Sequence, residues 1–200
     1  MTDAEQVFSD ETFADDDWYG EELVQRVYRR CTFARIDLTE ARTQLSTFEE
    51  CQFLNVRFNA SRHADSAFLR CVFKGSNLFE AQFDGCKLTG SQFHDCDLRP
   101  LTVTGGDWSF VSLQGAKLRG VRFRGVRMRE ADLTSADLTE AVLSDVDLSG
   151  AQLQKAILVK ADLRGSDLSM LDPRATRCDD AVITAEQALT IAQSLGFRIG

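Results

Sequence analysis

The stretch EADLTSADLTEAVLSDVDLS, residues 130–149, poses the question of the fold. Its leucines fall at every fifth position, Leu133, Leu138, Leu143 and Leu148, and each has Ala or Val two residues before it. An α-helix keeps one face apolar with steps of three and four residues, and a strand does so with steps of two. A period of five fits neither element, so the units can be equivalent only if the chain bends once in every unit.

The same register extends over most of the chain. We call the position of these leucines the centre of each five-residue unit. From Phe33 to Leu168 there are 28 centres, five residues apart, and all but Thr43 and His63 are Leu, Phe, Val, Trp or Met. Two residues before the centre, 26 of the 28 positions are Ala, Ser, Cys, Gly or Val. No residue is inserted or deleted along this run. A gap-free internal repeat of this kind predicts a solenoid.

Each five-residue unit also predicts which side chains face the core. The centre and the small residue two before it share one side of a short strand, so we expect both to point inward. The other three positions are mostly Asp, Thr, Arg, Glu and Gln, which we expect to point outward. Ten of the thirteen glycines lie two residues after a centre, where a bend would use their access to positive φ.

The units Ala131-Asp132-Leu133, Ala136-Asp137-Leu138 and Ala161-Asp162-Leu163 resemble the repeats of the pentapeptide-repeat family. The resemblance implies an all-β solenoid: a right-handed quadrilateral β-helix with about 20 residues in each coil of four units. A short C-terminal α-helix would follow. Thr43 and His63 would then lie one coil apart on the same face, and we interpret His63 as a hydrogen-bonded core residue.

The chain is predicted to have three parts. Residues 1–12 form an acidic N-terminus that is disordered, residues 13–183 form the β-helix, and residues 184–200 form a helix and tail. Thr184 and Gln187 suit a capping box, and Gly196 suits a helix end. This tail either caps the last coil or also joins two protomers in a homodimer. The residues proposed for that dimer interface are Leu189, Ala192, Leu195, Phe197 and Ile199.

Composition excludes several classes of function. The formal net charge of −8 argues against direct nucleic-acid binding, which needs phosphate-neutralising Lys and Arg. No apolar run approaches twenty residues and no targeting signal is evident, so we expect no membrane contact and a cytoplasmic protein. No nucleotide-binding loop, catalytic elbow or C-x-x-C pair occurs, so we expect no enzyme activity, no cofactor and no metal site.

Charge is distributed unevenly along the chain. Residues 23–129 carry ten acidic and seventeen basic residues, whereas residues 130–180 carry eleven acidic and five basic residues. Asp recurs just before the centre, so stacked carboxylates on a rod would imitate rows of phosphates. The alternative is that each Asp hydrogen-bonds nearby backbone. The acidic face proposed to bind a partner comprises Asp97, Asp132, Asp137, Glu140, Asp147, Asp162 and Asp167.

Several stretches resemble the mycobacterial quinolone-resistance members of the family, which belong to its Qnr-like, gyrase-binding group. These stretches are SRHADSAF (61–68), CDLRPLTV (96–103), VDLSGA (146–151), ADLRGSDL (161–168) and AEQALTIAQSLGF (185–197). The resemblance implies a dimeric DNA mimic that binds DNA gyrase, inhibits supercoiling and lessens fluoroquinolone action. The saddle of DNA gyrase that holds the cleaved DNA segment is the first candidate surface, and the ATPase region of gyrase is the second.

Two features leave this interpretation open. The basic belt, defined as Lys117, Arg119, Arg122, Arg124, Arg127 and Arg129, is either a solvated face or a contact for an acidic partner. The outward residues Phe79 and Phe110 suit a different function, a scaffolding solenoid that binds an unrelated protein.

Overall fold

The computed structural model describes residues 6–200, which contain sixteen short strands and one helix. The strands are Gln6–Ser9 (β1), Thr12–Ala14 (β2), Glu22–Val24 (β3), Arg26–Arg29 (β4), Thr32–Ala34 (β5), Arg42–Gln44 (β6), Thr47–Glu49 (β7), Gln52–Leu54 (β8), Arg62–Ala64 (β9), Ala67–Leu69 (β10), Val72–Lys74 (β11), Gln82–Asp84 (β12), Gln92–His94 (β13), Thr102–Thr104 (β14), Arg122–Arg124 (β15) and Val142–Ser144 (β16), and the helix is Ala185–Ser194 (α1). Within the described part of the chain, no helix has the length and apolar character needed to span a bilayer.

Every strand pair is parallel and joins residues twenty positions apart, as Phe33 pairs with Phe53 and Phe73 with Phe93. Because the unit is five residues, four units complete one coil, and residues twenty apart stack on one face. Face 1 contains β1, β4, β7 and β10; face 2 contains β2, β5, β8, β11 and β13; face 4 contains β3, β6, β9, β12, β14, β15 and β16. Face 3 is joined by isolated bridges such as Asp17 to Asp37. The predicted quadrilateral β-helix is therefore confirmed.

The core consists of the centres and the small residues two before them, as the repeat predicts. Between residues 31 and 168 these positions are buried, except for Cys96, Gly106 and Ala116. Phenyl rings one coil apart stack face to face, with centroids 4.7 Å apart for Phe48 and Phe68. Each buried Phe or Leu contributes about 1.5–3 kcal/mol from removal of apolar surface from water, offset by the ordering of the chain.

One polar cluster interrupts this core on face 4. Thr43 pairs in register with His63, and Thr43 Oγ1 lies 2.9 Å from His63 Nδ1. Ser61 Oγ lies 3.0 Å from His63 Nε2 and donates its own proton to the carbonyl oxygen of Phe58. Burial lowers the pKa of His63 to about 3, so the imidazole is neutral at physiological pH. The structure thus places His63 in the hydrogen-bonded core role expected from the sequence.

The corners between faces require a left-handed backbone. The corner residue is the one two positions after each centre. From Asp10 to Asp180 every corner residue has positive φ, except Pro100, Met170 and Ala175. Proline cannot adopt positive φ because its ring fixes that angle near −65°. The hydrogen bond that Glu80 donates to the neighbouring coil is accordingly made to the carbonyl of Pro100, twenty residues on, rather than at the usual offset of nineteen.

The β-helix begins earlier than the boundary at residue 13 predicted from the sequence. Strand β1 pairs with β4 from Gln6 to Ser9, and Phe8 stacks on Tyr28 with centroids 4.9 Å apart. Phe8 keeps the five-residue register, so an acidic composition does not prevent this segment from adding a coil. The rest of the predicted N-terminal tail, residues 1–5, lies outside the described residues.

Helix α1 docks on the last coil through a polar residue. Thr184 is its N-cap, and the reciprocal bonds between Thr184 and Gln187 complete the predicted capping box. Gln187 is the buried residue of the helix, and its Nε2 donates to the carbonyl oxygens of Leu163 and Ser166, both at 2.7 Å. Helix α1 therefore supplies a donor to the Ser166 carbonyl and a second donor to the Leu163 carbonyl, which also accepts from the N–H of Ser166.

Candidate functional site

The outward Asp before the centre has a structural role at most of its positions. Its carboxylate accepts a hydrogen bond from the backbone N–H two residues later, as Asp132 does from Thr134 at 2.9 Å. The same bond is made by Asp17, Asp37, Asp107, Asp137, Asp147, Asp162, Asp167 and Asp172. Asn77 makes it as well, to the N–H of Phe79 at 2.9 Å. A negative charge is therefore not required for the bond, although a bonded carboxylate still carries one.

The seven residues proposed as an acidic face do not share a face. Only residues separated by a multiple of twenty stack, whereas the repeat places Asp in steps of five, ten and fifteen. Asp147 and Asp167 are neighbours on face 1, and Asp97, Asp137 and Glu140 lie on face 3 or its corner. Asp132 is on face 2 and Asp162 on face 4. The single acidic face predicted from the sequence is therefore wrong as a geometric description.

Ion pairs further divide the proposed set. Asp147 accepts from Arg129 Nε at 2.6 Å, and Asp162 accepts from Arg164 at 2.6 Å. Longer contacts join Asp97 to Arg99 at 3.5 Å and Glu140 to Arg119 at 3.4 Å. The hydrogen bond from Arg164 lowers the pKa of Asp162, and the hydrogen bond from the Thr139 side chain lowers the pKa of Asp137. Asp162 and Asp137 therefore stay ionised at neutral pH.

Five acids in the second half of the rod lie on face 1 and beside it. We call this group the C-terminal acidic patch: Glu130, Asp132, Asp145, Asp147 and Asp167. Asp147 and Asp167 stack one coil apart on the face itself, Asp145 and Glu130 occupy the corners at its two edges, and Asp132 follows on face 2. Arg129 pairs with Asp147, and no other member of the patch has an ion pair within residues 6–200.

Two members of this patch, Glu130 and Asp145, are missing from the residues proposed from the sequence. Each sits one coil before a glycine corner and folds over it: a Cβ at Gly150 would lie 2.9 Å from Glu130 Cγ, and one at Gly165 would collide with the Asp145 carboxylate. The signal in the sequence is an acid twenty residues before a glycine, and it is visible only once the coil length is known.

The basic belt occupies one coil across faces 3, 4 and 1. Arg127 pairs with Asp107 at 3.1 Å and Arg129 with Asp147, while Arg119 contacts Glu140 more loosely. Lys117, Arg122 and Arg124 have no ion pair in the described part of the chain. The belt is thus neither fully solvated nor fully neutralised by its own acids.

A cleft of about 480 Å³ opens beside the belt, at the corner between faces 2 and 3. Within the described residues, no backbone hydrogen bond joins Asp95 to Gln114 or Leu98 to Lys117, although equivalent bonds join the neighbouring coils, as Leu78 donates to Asp97. The separation follows from Pro100, which cannot form the left-handed corner. Cys96 and Ala116 are only half-buried for this reason. The protein atoms packed around the Cys96 thiol nevertheless raise its pKa to about 11.

The predicted dimer residues in the tail divide into two groups. Leu189, Phe197 and Ile199 are exposed, with 50%, 66% and 43% of their surface accessible. Ala192 and Leu195 are half-buried, and Ile191, which was not proposed, packs against the core. An apolar group thus remains uncovered at the end of the rod. Among residues 6–200, no group of three or more His, Cys, Asp or Glu side chains is arranged to hold a metal ion.

The repeat and the fold both match known proteins. Residues 76–153 match the family described as the pentapeptide repeat region, which is not a catalytic family. No curated protein matches the sequence of the chain. Trypsin-treated QnrB1, a plasmid-mediated fluoroquinolone resistance protein, superposes with a TM-score of 0.79 at 18% identity, with 98% of each chain covered. HetL, a pentapeptide repeat protein involved in heterocyst differentiation regulation in the cyanobacterium Nostoc, superposes with a TM-score of 0.60 at 21% identity, covering 88% of this chain and 86% of HetL. Residues 76–153 thus form a pentapeptide repeat region, and the chain has the β-helix fold of the pentapeptide-repeat family.

Proposed function

We propose that this protein is a non-enzymatic DNA mimic that binds DNA gyrase, modulates its supercoiling activity and protects it from fluoroquinolones. Fold likeness to QnrB1 over 98% of both chains supports a protein of that general kind. The sequence stretches at 96–103 and 185–197 resemble the mycobacterial quinolone-resistance protein MfpA, which favours gyrase as the partner.

The C-terminal acidic patch is the observation that carries the proposal. Asp147 and Asp167 lie one coil apart, about 4.8 Å along the axis, and Asp145 and Glu130 widen the row at both edges of face 1. A rigid rod that holds carboxylates in fixed positions presents a preformed anionic surface to a protein that grips phosphates. Because such a grip depends on Lys and Arg of the partner, binding would weaken as the salt concentration rises.

A homodimer through the C-terminal end would enlarge this anionic surface. Leu189, Phe197 and Ile199 provide the uncovered apolar group for a two-fold contact. Such a contact brings together two 130–180 segments, each with eleven acidic and five basic residues. The saddle of gyrase that holds the cleaved DNA segment is the first surface to test against this centre, and the ATPase region of gyrase is the second.

The decisive experiment is ATP-dependent supercoiling by bacterial DNA gyrase with this protein titrated in, with and without a fluoroquinolone. We expect inhibition of supercoiling and a decrease in drug-stabilised DNA cleavage over the same range of protein concentration. The test variant is Asp147→Asn with Asp167→Asn. Asparagine at this position keeps the hydrogen bond to the backbone, as Asn77 does, and removes the charge, together with the ion pair between Asp147 and Arg129.

A matched control separates the acidic patch from net charge. Asp17→Asn with Asp37→Asn removes the same number of charges from face 3 at the other end of the rod, and Asp37 is ion-paired to Arg57 as Asp147 is to Arg129. We expect the control pair to inhibit gyrase like the unmodified protein and the test pair to inhibit several-fold less. Equal inhibition by all three proteins would exclude this patch as the contact.

A scaffolding solenoid is the second candidate, and two exposed phenyl groups favour it. Phe79 and Phe110 have 41% and 55% of their surface accessible, and Phe110 occupies a left-handed corner where a bulky residue is unfavourable. Capture of partners from a bacterial extract at low and high salt distinguishes the two functions. A partner of the acidic patch leaves as salt rises, whereas a partner held by Phe79 and Phe110 stays bound.

A further inference from the structure

The six cations of the basic belt are regularly spaced along the chain. They occupy the positions just before and just after the centre in three consecutive units: 117 and 119, 122 and 124, 127 and 129. In an extended segment these two positions lie on the same outward side and about 7 Å apart. The belt therefore presents pairs of cations at the repeat of an extended chain.

The middle of the belt departs from the way this protein usually places arginine. In the first coils an arginine commonly faces an acid twenty residues away, as Arg30 faces Asp10 and Arg57 faces Asp37, both at 2.6 Å. Strand β15 places Arg122 and Arg124 between Thr102 and Thr104 on one side and Val142 and Ser144 on the other. Neither neighbouring strand supplies a carboxylate, so both guanidinium groups have their charge uncompensated within face 4.

The belt also begins at a place where backbone groups are free. Lys117 lines the cleft beside Pro100, together with Arg99 and Gln114. Across this cleft the N–H groups of Asp95 and Leu98 do not reach the carbonyls of Gln114 and Lys117. Backbone donors and acceptors that have no partner among the described residues can hydrogen-bond to an added extended segment, as the groups at a sheet edge do.

We propose that the belt is a second binding surface, which takes an extended acidic segment of a partner protein. The segment lies extended along each face and bends with the corner at Gly120, so that its carboxylates meet Lys117 and Arg119 on face 3 and then Arg122 and Arg124 on face 4. The end of the segment enters the cleft and hydrogen-bonds to the separated backbone of the two coils. The four residues used here lie on faces 3 and 4, and the belt meets the C-terminal acidic patch on face 1, where Arg129 pairs with Asp147. The proposal does not depend on gyrase being the partner of that patch.

The surroundings of the belt favour an acidic peptide over nucleic acid. The belt is one coil deep, about 4.8 Å along the axis, and Asp97 and Asp137 flank it one coil away on face 3. On face 4, Asp84 and Asp162 lie two coils away on either side. A duplex, whose major groove alone is about 12 Å wide, would bring its phosphates over these carboxylates, whereas a single extended strand fits between them.

The test is fluorescence anisotropy with the full-length protein and labelled peptides, in the absence of gyrase. The probe is a peptide of about twelve residues in which Glu alternates with Ser, so that its carboxylates repeat at about 7 Å. A peptide with Gln in place of Glu and a DNA duplex of similar length are the comparison probes. We expect the glutamate peptide to bind, and to bind more tightly than either comparison.

The variant pair is Arg122→Glu with Arg124→Glu, and its matched control is Arg42→Glu with Arg62→Glu on the same face. Both pairs make the same change in net charge at exposed positions. We expect the first pair to weaken binding of the glutamate peptide by about tenfold, since two exposed ion pairs become repulsive, and the control pair to leave it within about twofold. Arg122→Gln with Arg124→Gln should give an intermediate loss.

Three results would overturn the proposal. Equal losses from both glutamate pairs would mean that binding follows net charge rather than the belt. Tighter binding of the duplex than of the glutamate peptide would assign the belt to nucleic acid. Lack of binding by the glutamate peptide at low salt, in protein whose circular dichroism shows the β-helix, would exclude the surface altogether.

Discussion

Thr43 Oγ1 lies 2.9 Å from His63 Nδ1 in the interior of the β-helix, one coil apart on face 4. The Ser61 hydroxyl donates to a backbone carbonyl, so its oxygen is free to accept from His63 Nε2. Thr43 Oγ1 also lies 3.0 Å from Ser66 Oγ, to which it donates, so burial, rather than the direction of these hydrogen bonds, keeps the imidazole neutral. Protonation would place an uncompensated charge among Phe58, Phe68 and Phe83.

The stability of the protein should therefore fall in mild acid. The pKa of His63 is about 3 in the folded protein and about 6.5 in the unfolded chain, so the unfolded state binds one more proton between these values. The contribution of neutral His63 to the free energy of unfolding is complete above pH 6.5. Below that pH it decreases by about 1.4 kcal/mol per pH unit. Between pH 7 and pH 5, urea denaturation should show a loss of about 2 kcal/mol from this residue.

A variant without the titrating group isolates this contribution. Thr43→Val with His63→Phe replaces the polar pair by apolar residues and continues the phenyl stack of Phe83. The variant should lose about 2 kcal/mol less than the unmodified protein between the two pH values. An identical loss in both proteins would mean that His63 does not titrate in this window.

Gly106 should be the least replaceable glycine of the rod. It occupies the small inward slot before Trp108, has φ of +82°, and a Cβ there would collide with the carbonyl of Cys86 and lie 2.8 Å from its nitrogen. Both clashing atoms belong to the backbone, so the coils would have to separate. Gly106→Ala should lower the free energy of unfolding by about 3 kcal/mol, combining overpacking with the cost of positive φ.

Gly115→Ala is the control for this prediction. Gly115 has φ of +64°, but a Cβ there would have no atom within 4 Å other than those of its chain neighbours. Its replacement should cost about 1 kcal/mol, the cost of the left-handed backbone alone. Urea denaturation of both variants measures the difference, and equal losses would show that contact with Cys86 is relieved without separating the coils.

Gln187 should determine whether helix α1 stays docked. Its amide nitrogen donates to the carbonyls of Leu163 and Ser166. Gln187→Leu would leave the Ser166 carbonyl without a donor among the described residues, and the Leu163 carbonyl with only the N–H of Ser166. We expect a loss of about 2–4 kcal/mol in the stability of the last coil and helix, and faster amide hydrogen exchange there. Exchange in the central coils should not change; acceleration throughout the rod would mean that the helix stabilises the whole molecule and not its end.

The five-residue period predicted the fold because it constrains both the core and the corners. Alternation of Leu and Ala fixed which side chains point inward, and the gap-free register fixed that every coil has the same length. Gln187 was identified from the sequence only as part of a capping box, because its second role depends on the carbonyls of residues twenty-one and twenty-four positions earlier. The N-terminal boundary was placed too late because charge was given more weight than the register of Phe8.

The arrangement of charge was harder to predict than the fold. Asp132, Asp147 and Asp162 look equivalent in the sequence, but steps of fifteen residues carry them to three different faces. Glu130 and Asp145 were not proposed, because corners are recognised as part of a face only after the coil length is known. The cleft at Pro100 was also missed, although the sequence contains its cause: proline at a position where the other corners need positive φ.

The tail should provide the interface of a homodimer, and the structure indicates which residues to change. Leu189 and Phe197 are half-exposed or more, so Leu189→Asp with Phe197→Asp should not disturb the β-helix. We expect this pair to convert the protein to monomers in light scattering after gel filtration, because two buried charges at a two-fold contact face each other. Leu195 is a poorer choice, since it is half-buried and ends helix α1.

The control for the dimer prediction is Thr190→Asp with Gln193→Asp. This variant adds the same charge at exposed positions of helix α1 and should remain dimeric. Dimers in both variants would place the contact elsewhere, and monomeric unmodified protein would exclude the dimer itself. If the first variant alone is monomeric, its effect on gyrase becomes informative. A mimic that needs both 130–180 segments should lose inhibition in proportion to the loss of dimer, whereas one that acts through a single acidic patch should keep it.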